Sequence, residues 1–329
     1  MYFLLEESSW AWDGREPEAY VERIEQLLDR LDTAHEREEE FATSTELLEQ
    51  KVTGGHTLAD LLWGPELAMS HDVQERITTH FGRLRFWDEA TGYSDFEAEI
   101  AGKPVLSPSA VFVHGRAGEG ETIACLPLPG TWRGPCVVRV ADRAALVHFV
   151  TDEASHRAFF RAAIATRATG DALEPLAPHA FPDTCFVETV WRGVREFKGG
   201  YAHVRDDLLK FLGEFDDHAA WAYNDETGRR SRNEPIPGDA ARRPVTNVLL
   251  EERFRALGLD VSRETLDVEK TARLRQQRER VVGGRLLYCE WHYKIEGHQN
   301  RVHFHAPVAE SEHRPIIAIF HEHLDLPGD

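Results

Sequence analysis

An α+β fold in two parts is what the order of apolar patterns predicts, on three observations. Helix-period stripes and strand-period alternation both occur, and they come in blocks rather than in strict alternation. A segment almost without apolar residues, 224–244, interrupts them. The block after it differs in charge from the block at the start. The expected architecture is a helical and β-rich N-terminal region followed by a small C-terminal domain with an antiparallel sheet.

The first ninety residues read as helical. Tyr20, Ile24, Leu27, Leu28 and Leu31 recur at helical spacing between acids and arginines. Further helices are expected around 45–51 and 73–84, the latter with Asp72 as its N-cap. From about 105 the character turns to short β-rich runs at 110–114, 122–126, 136–140 and 146–150, set between Gly- and Pro-bearing turns. Helices return with Phe159, Phe160, Ala163 and Ile164, and again with Leu208, Leu209, Leu212 and Phe215. The run 185–191 between them is rich in β-branched and aromatic residues and reads as a strand. The divisions that follow are an acidic helical region 1–104, a mixed region 105–223, a linker 224–244 and a C-terminal domain 245–329. In that last domain 245–257 and 265–280 read as helices. Three strands follow at 287–296, 301–305 and 315–320.

A chain of 329 residues suggests two or three domains, because single cores stop growing near 250–300 residues. Its 42% hydrophobic and 10% aromatic content exclude wholesale disorder. No run approaches the roughly 18 apolar residues of a membrane span, and the acidic start does not read as a signal peptide. Four cysteines without a CxxC pair argue against a disulfide framework or a Cys-rich zinc site. A cytoplasmic protein with no membrane partner is the expectation. The formal charge is −19, which argues against bulk coating of nucleic acid. That average hides a gradient. Residues 1–90 carry 8 basic and 21 acidic side chains, whereas 241–329 carry 14 of each. Within 270–305, eight cations face three anions.

Familiar catalytic motifs are absent: HExxH, GxSxG and GxGxxG do not occur. Residues 115–122 have the spacing of a phosphate-binding P-loop, but Glu121 stands where the motif needs Lys. A strand, not a helix, is expected to follow. The histidines carry the strongest signal. Seven of seventeen lie at 292, 298, 303, 305, 313, 321 and 323. In 287–296 the alternation sets Leu287, Cys289, Trp291, Tyr293 and Ile295 against Glu290, His292 and Lys294. If that strand pairs with 301–305, then Glu290, His292, Lys294, Arg301, His303 and His305 share one open face.

Three function classes follow from that face. One is a metal-independent endoribonuclease, in which His292, His303 and His305 move protons while Arg301 and Lys294 stabilise charge at phosphorus. Glu290, His321 and His323 are secondary candidates, and Arg273, Arg275, Arg278, Arg280 and Arg285 would hold the nucleic-acid backbone. No metal or other cofactor is assigned in this reading. The second class is a non-catalytic module that docks nucleic acid or an acidic protein on the same surface. The third is a metal-dependent enzyme using His303, His305, His321 and His323.

The stretch from Gly284 through Glu290, His292 and Lys294, with Asn300-Arg-Val-His-Phe-His and the terminal run Ile316 to Leu324, resembles RelE/HigB-type toxin ribonucleases. That resemblance covers about the last eighty residues. It implies two helices on a twisted antiparallel sheet, RNA (free or ribosome-bound) as substrate, and a toxin or anti-phage defence role. It places Glu290, Lys294 and Arg301 at the family's Glu, Arg and Arg, and sets His321 and His323 where the family has Lys or Arg. Nothing comparable covers residues 1–240, whose acidity suggests a regulatory region that shields the basic surface or meets an inhibitory or sensing protein partner.

Overall fold

Strand β1 (Tyr2–Leu5) is apolar at three of its four positions, and those three are buried. A run buried on both faces shows no alternation, and it suits the middle of a parallel sheet. The computed structural model describes residues 2–12, 14, 16–53, 55–87, 97–117, 121–223 and 245–327. The chain mixes helix and strand, in keeping with α+β, and divides into two compact units, 1–163 and 164–329. The segment 224–244, expected as a linker, lies outside the described residues.

In the first unit β1 is followed by α1 (Pro17–Glu36), β2 (Glu40–Thr43), the hairpin β3 (Lys51–Thr53) and β4 (His56–Thr57), α2 (Leu58–Trp63), α3 (His71–Phe81) and β5 (Arg85–Phe86). Next come β6 (Glu97–Ile100), β7 (Lys103–Leu106), α4 (Pro108–Arg116), β8 (Ile123–Leu126), β9 (Gly134–Val140), β10 (Arg143–Phe149) and α5 (Glu153–Ala165). One sheet runs β5-β2-β1-β8-β10-β9-β6-β7, parallel from β5 through β10 and antiparallel beyond. The predicted stripe of α1 is buried, including Tyr20, whose hydroxyl donates to the Trp10 carbonyl at 2.7 Å.

Several expectations fail here for local reasons. The first ninety residues are not simply helical, because β1, β2 and β5 belong to the sheet and are too short to show a period. Residues 45–49 form turns. The cap of α3 is Ser70, whose Oγ accepts from Val73 N, and Asp72 sits inside the first turn. The apolar run at 110–114 belongs to α4 rather than to a strand. Ser107 caps it, accepting from Ala110 N at 3.2 Å, and Pro108 opens the first turn.

The second unit contains α6 (Leu173–Ala180), β11 (Cys185–Phe186), a 3-10 segment Glu188–Glu196, α7 (Tyr201–Ala222), α8 (Asn247–Ala256), β12 (Val261–Arg263), α9 (Leu266–Lys270) and α10 (Ala272–Gln277). The hairpin β13 (Glu279–Val282) and β14 (Arg285–Tyr288) leads to β15 (Trp291–Lys294), β16 (Arg301–His305) and β17 (Ile316–His321). The sheet order is β11-β17-β16-β15-β12, antiparallel except for β11 on β17. One strand of this sheet therefore comes from before the 224–244 segment. Gly193 lies so close to β17 that a Cβ would meet the Phe320 carbonyl at 2.0 Å.

The alternation read across 287–296 is divided between two cores. Tyr293 stacks on Phe211 with centroids 4.5 Å apart, and Phe304 packs on Phe215 and Phe254 from α7 and α8. Leu287 and Cys289 instead join Val282, Ile316 and Ile319 in a separate cluster. The chain breaks between β14 and β15, where Cys289 N donates to the Arg278 carbonyl. The stretch 265–280 likewise breaks, into α9, α10 and β13.

After β1 the chain turns through Glu6 and Glu7, both fully buried. Glu7 accepts from the hydroxyls of Ser44, Ser107 and Ser109 and from Ser109 N. Burial, with the neighbouring Glu6 charge, still pushes its carboxyl up to about 7. A carboxyl raised on folding binds its proton in the native state. Its stabilising effect is therefore complete below about pH 4.5 and is lost as pH rises through 7, a contribution of roughly 3 kcal/mol. Thermal melts should show the first unit losing stability between pH 5 and 8, and Glu7→Gln should flatten that slope. A slope unchanged by the substitution would contradict the assignment.

Candidate functional site

Antiparallel pairing puts directly opposed side chains on one face of a sheet. In the C-terminal sheet the row runs Ser262, His292, His303, Ile319 across β12, β15, β16 and β17. The next row sets Lys294 against Arg301, and Arg301 against His321. The expected pairing of His292, Lys294, Arg301 and His303 on one face is thus present. A register shift between His303 and Phe304 changes the rest. It leaves Ile319 opposite His303 and Ile317 opposite Phe304, so simple alternation along β17, which would group His321 with both isoleucines, does not hold.

The register is held by its turn. Asn300, fully buried with φ +57°, donates through Nδ2 to Glu296 and the Lys198 carbonyl, and its Oδ1 accepts from Lys198 N. Arg301 directs its guanidinium to the carbonyls of Glu296, Gln299 and Gly297. Arg301 is therefore a clamp on the turn and not a free phosphate-binding cation.

Glu264 is the residue around which the row converges, and the sequence reading missed it. It follows a three-residue strand too short to carry a period. Its Oε1 lies 3.4 Å from His292 Nδ1 and 3.6 Å from His303 Nδ1, and it accepts from Arg278 Nε at 2.8 Å. His292 Nε2 meets Ser262 Oγ at 3.2 Å. The two rings are 5.4 Å apart. His303 is 1% exposed, and neither of its ring nitrogens has a hydrogen-bond partner. His292 Nδ1 is also without one, since its approach to Glu264 has ion-pair distance but not hydrogen-bond geometry.

Electrostatics at the cluster are set by burial and by Arg278. Burial alone would raise the Glu264 carboxyl, but the His292 imidazole beside it, the hydrogen bond from Arg278 and the positive neighbours outweigh it and take it down to about 2. His303 is driven well below its ordinary value by burial first, and then by positive charge at His292 and Arg278. A carboxylate secured by Arg278 beside a neutral His303 is the consistent state. A neutral, enclosed imidazole accepts or ligates but cannot act as a general acid.

The remaining candidates do not converge with this cluster. His305 Nδ1 bonds the Ala306 carbonyl at 2.8 Å, and His321 Nδ1 accepts from His323 N at 3.0 Å while its Nε2 faces Glu196. His303, His305, His321 and His323 do not form a common ligand set among the described residues. Glu290 lies between β14 and β15 and pairs with Arg263, whereas Lys294 pairs loosely with Asp260 at 3.8 Å. The expected basic helix face is corrected as well. Arg278 is buried against Glu264, Arg273 binds Asp325, Arg275 binds Glu279, Arg285 binds Glu310, and Arg280 donates to the carbonyls of Gln277 and Glu279.

No family model, curated protein or solved structure matches the chain. Among the described residues no helix is long and apolar enough to cross a membrane.

Removing one partner of a buried ion pair costs about 3–5 kcal/mol, against less than about 1 for an exposed pair. Arg278→Met should therefore lower unfolding free energy in urea by the larger amount, and Arg273→Met by the smaller. Equal, small effects would show that the Arg278–Glu264 contact is not formed.

Proposed function

We propose that the C-terminal unit is a hydrolase of phosphodiester bonds, acting on RNA, with Glu264, His292 and His303 at its centre. The single observation that carries the reading is a pair of imidazoles, His303 buried and His292 largely so, aimed at one carboxylate without hydrogen bonds to it. Each buried polar group left unpaired costs about 1–3 kcal/mol. Folds keep such groups where a ligand or reaction uses them. In contrast, Glu6 and Glu7, buried in the first unit, are both supplied with donors.

RNA as the substrate is supported by what adjoins the centre on the same face. Lys294 and His321 stand in the next row, and the Lys294–Asp260 pair is loose enough to open toward a phosphate. The resemblance to RelE/HigB-type toxins points the same way. In this reading Arg301 positions β15 against β16, and Arg278 positions Glu264. Neither touches substrate.

The test is incubation of the full chain with a labelled single-stranded RNA and, separately, with translating ribosomes. Cleavage is expected, and His292→Gln or Glu264→Gln should slow it by about 10²-fold or more. His298→Gln should leave it unchanged. A folded parent that cuts neither substrate would sink the RNA assignment.

A further inference from the structure

We propose that Glu264, His292 and His303 together hold one divalent metal ion of the zinc class, with at least one coordination position open to an anion. This deepens the preceding reading and rests on the same cluster being the unit's working centre. It differs from the four-histidine set suggested by the H-x-H spacings, with which it shares only His303.

Distance is the first argument. Zinc binds imidazole nitrogen and carboxylate oxygen at about 2.0–2.2 Å, so neighbouring donors at a tetrahedral ion stand about 3.3–3.5 Å apart. The two Nδ1 atoms lie 3.4 and 3.6 Å from Glu264 Oε1. All three residues can bring donor atoms within 4.8 Å of one another. These separations are long for hydrogen bonds and suit the edges of a coordination polyhedron.

The donors' remaining partners are the second argument. A ligating imidazole commonly engages its other ring nitrogen elsewhere, which fixes its tautomer and orientation. His292 does so through Nε2 to Ser262 Oγ, and this leaves the Nδ1 lone pair toward the cluster. Arg278 plays the equivalent part for the carboxylate. It takes one lone pair of Oε1 and leaves the other lone pair and the whole of Oε2 without a protein partner among the described residues. Ligation accounts for Nδ1 of His303, while its Nε2 has no partner with or without an ion.

Charge decides the kind of fourth ligand. Arg278 already balances Glu264, so a dication would add an uncompensated double positive charge in a nearly closed site. An anionic oxygen, from hydroxide or phosphate, offsets part of it. An ion of this class lowers the pKa of bound water to about 7 and polarises a phosphoryl oxygen. The proposal therefore fits a hydrolytic centre rather than a purely structural knot.

The experiment uses the full chain, stripped with chelator and titrated with Zn²⁺ and with Co²⁺. Elemental analysis should find one ion per chain, and the visible Co²⁺ bands should shift when inorganic phosphate is added. His303→Gln and Glu264→Gln should abolish stoichiometric binding, Ser262→Ala should weaken it about tenfold or more, and His305→Gln and His323→Gln should bind as the parent does. If the ligand variants misfold by circular dichroism, X-ray absorption on the parent replaces them, with two imidazoles and one carboxylate expected around the ion. No stoichiometric binding, loss of binding in the His305 or His323 variants, or a different ligand shell overturns the proposal. Zinc held by these three residues in a chain that cuts no RNA would sink the RNA reading alone. Full-rate RNA cleavage by metal-free chain would sink this proposal alone.

Discussion

The register of β15 on β16 is the constraint on which the C-terminal unit depends. It sets His292 opposite His303 and, on the other side of the sheet, directs Tyr293 and Phe304 into the aromatic core of α7 and α8. A slip of one residue would exchange the two sets. Two devices hold it: Asn300 in a left-handed conformation, and Arg301 bound to three carbonyls of the turn. Both residues look chemically available in the sequence, yet both are committed to the backbone. The aromatic burial on one face thus fixes what the imidazoles on the other can meet.

Glu6 and Glu7 on the one hand and Glu264 on the other are buried in opposite ways. Glu6 and Glu7 sit among serine hydroxyls and backbone N–H groups, so the cost of their burial is offset by donors and, at Glu7, by a proton retained to about pH 7. Glu264 has a guanidinium and two imidazoles instead, and the imidazoles do not complete hydrogen bonds to it. The first arrangement is saturated and needs nothing further. The second leaves donors converging on a space that protein atoms do not satisfy. This contrast within one chain is why the chemistry is placed at the C-terminal cluster and not at the N-terminal glutamates.

Legibility of the site followed the length of the elements. His292, Lys294, Arg301 and His303 were readable as one face because β15 and β16 alternate cleanly over four and five residues. Glu264 and Ser262 were not, because β12 has three residues and no period. The arginines of 273–285 read as a basic surface from composition, but each finds a partner in another element or in its own turn. Asp325 and Glu310 come from the end of the chain, and a local charge count cannot see them. Helices α1 and α7 were legible for the converse reason, having twenty and twenty-two residues of sustained apolar period.

By itself the sequence determined the mixture of helix and strand, the amphipathic stripes, and the crowding of histidines into alternating strands near its end. These are properties of neighbours along the chain, where side-chain period and backbone geometry act together. Tertiary structure alone decided that 110–114 is helical, that the alternation over 287–296 is split between two cores, and that Glu264 and Arg278 meet beneath the histidines. Such outcomes depend on which burial partner is nearest in space. That competition is settled by packing and desolvation across the whole unit, and no local pattern encodes its result.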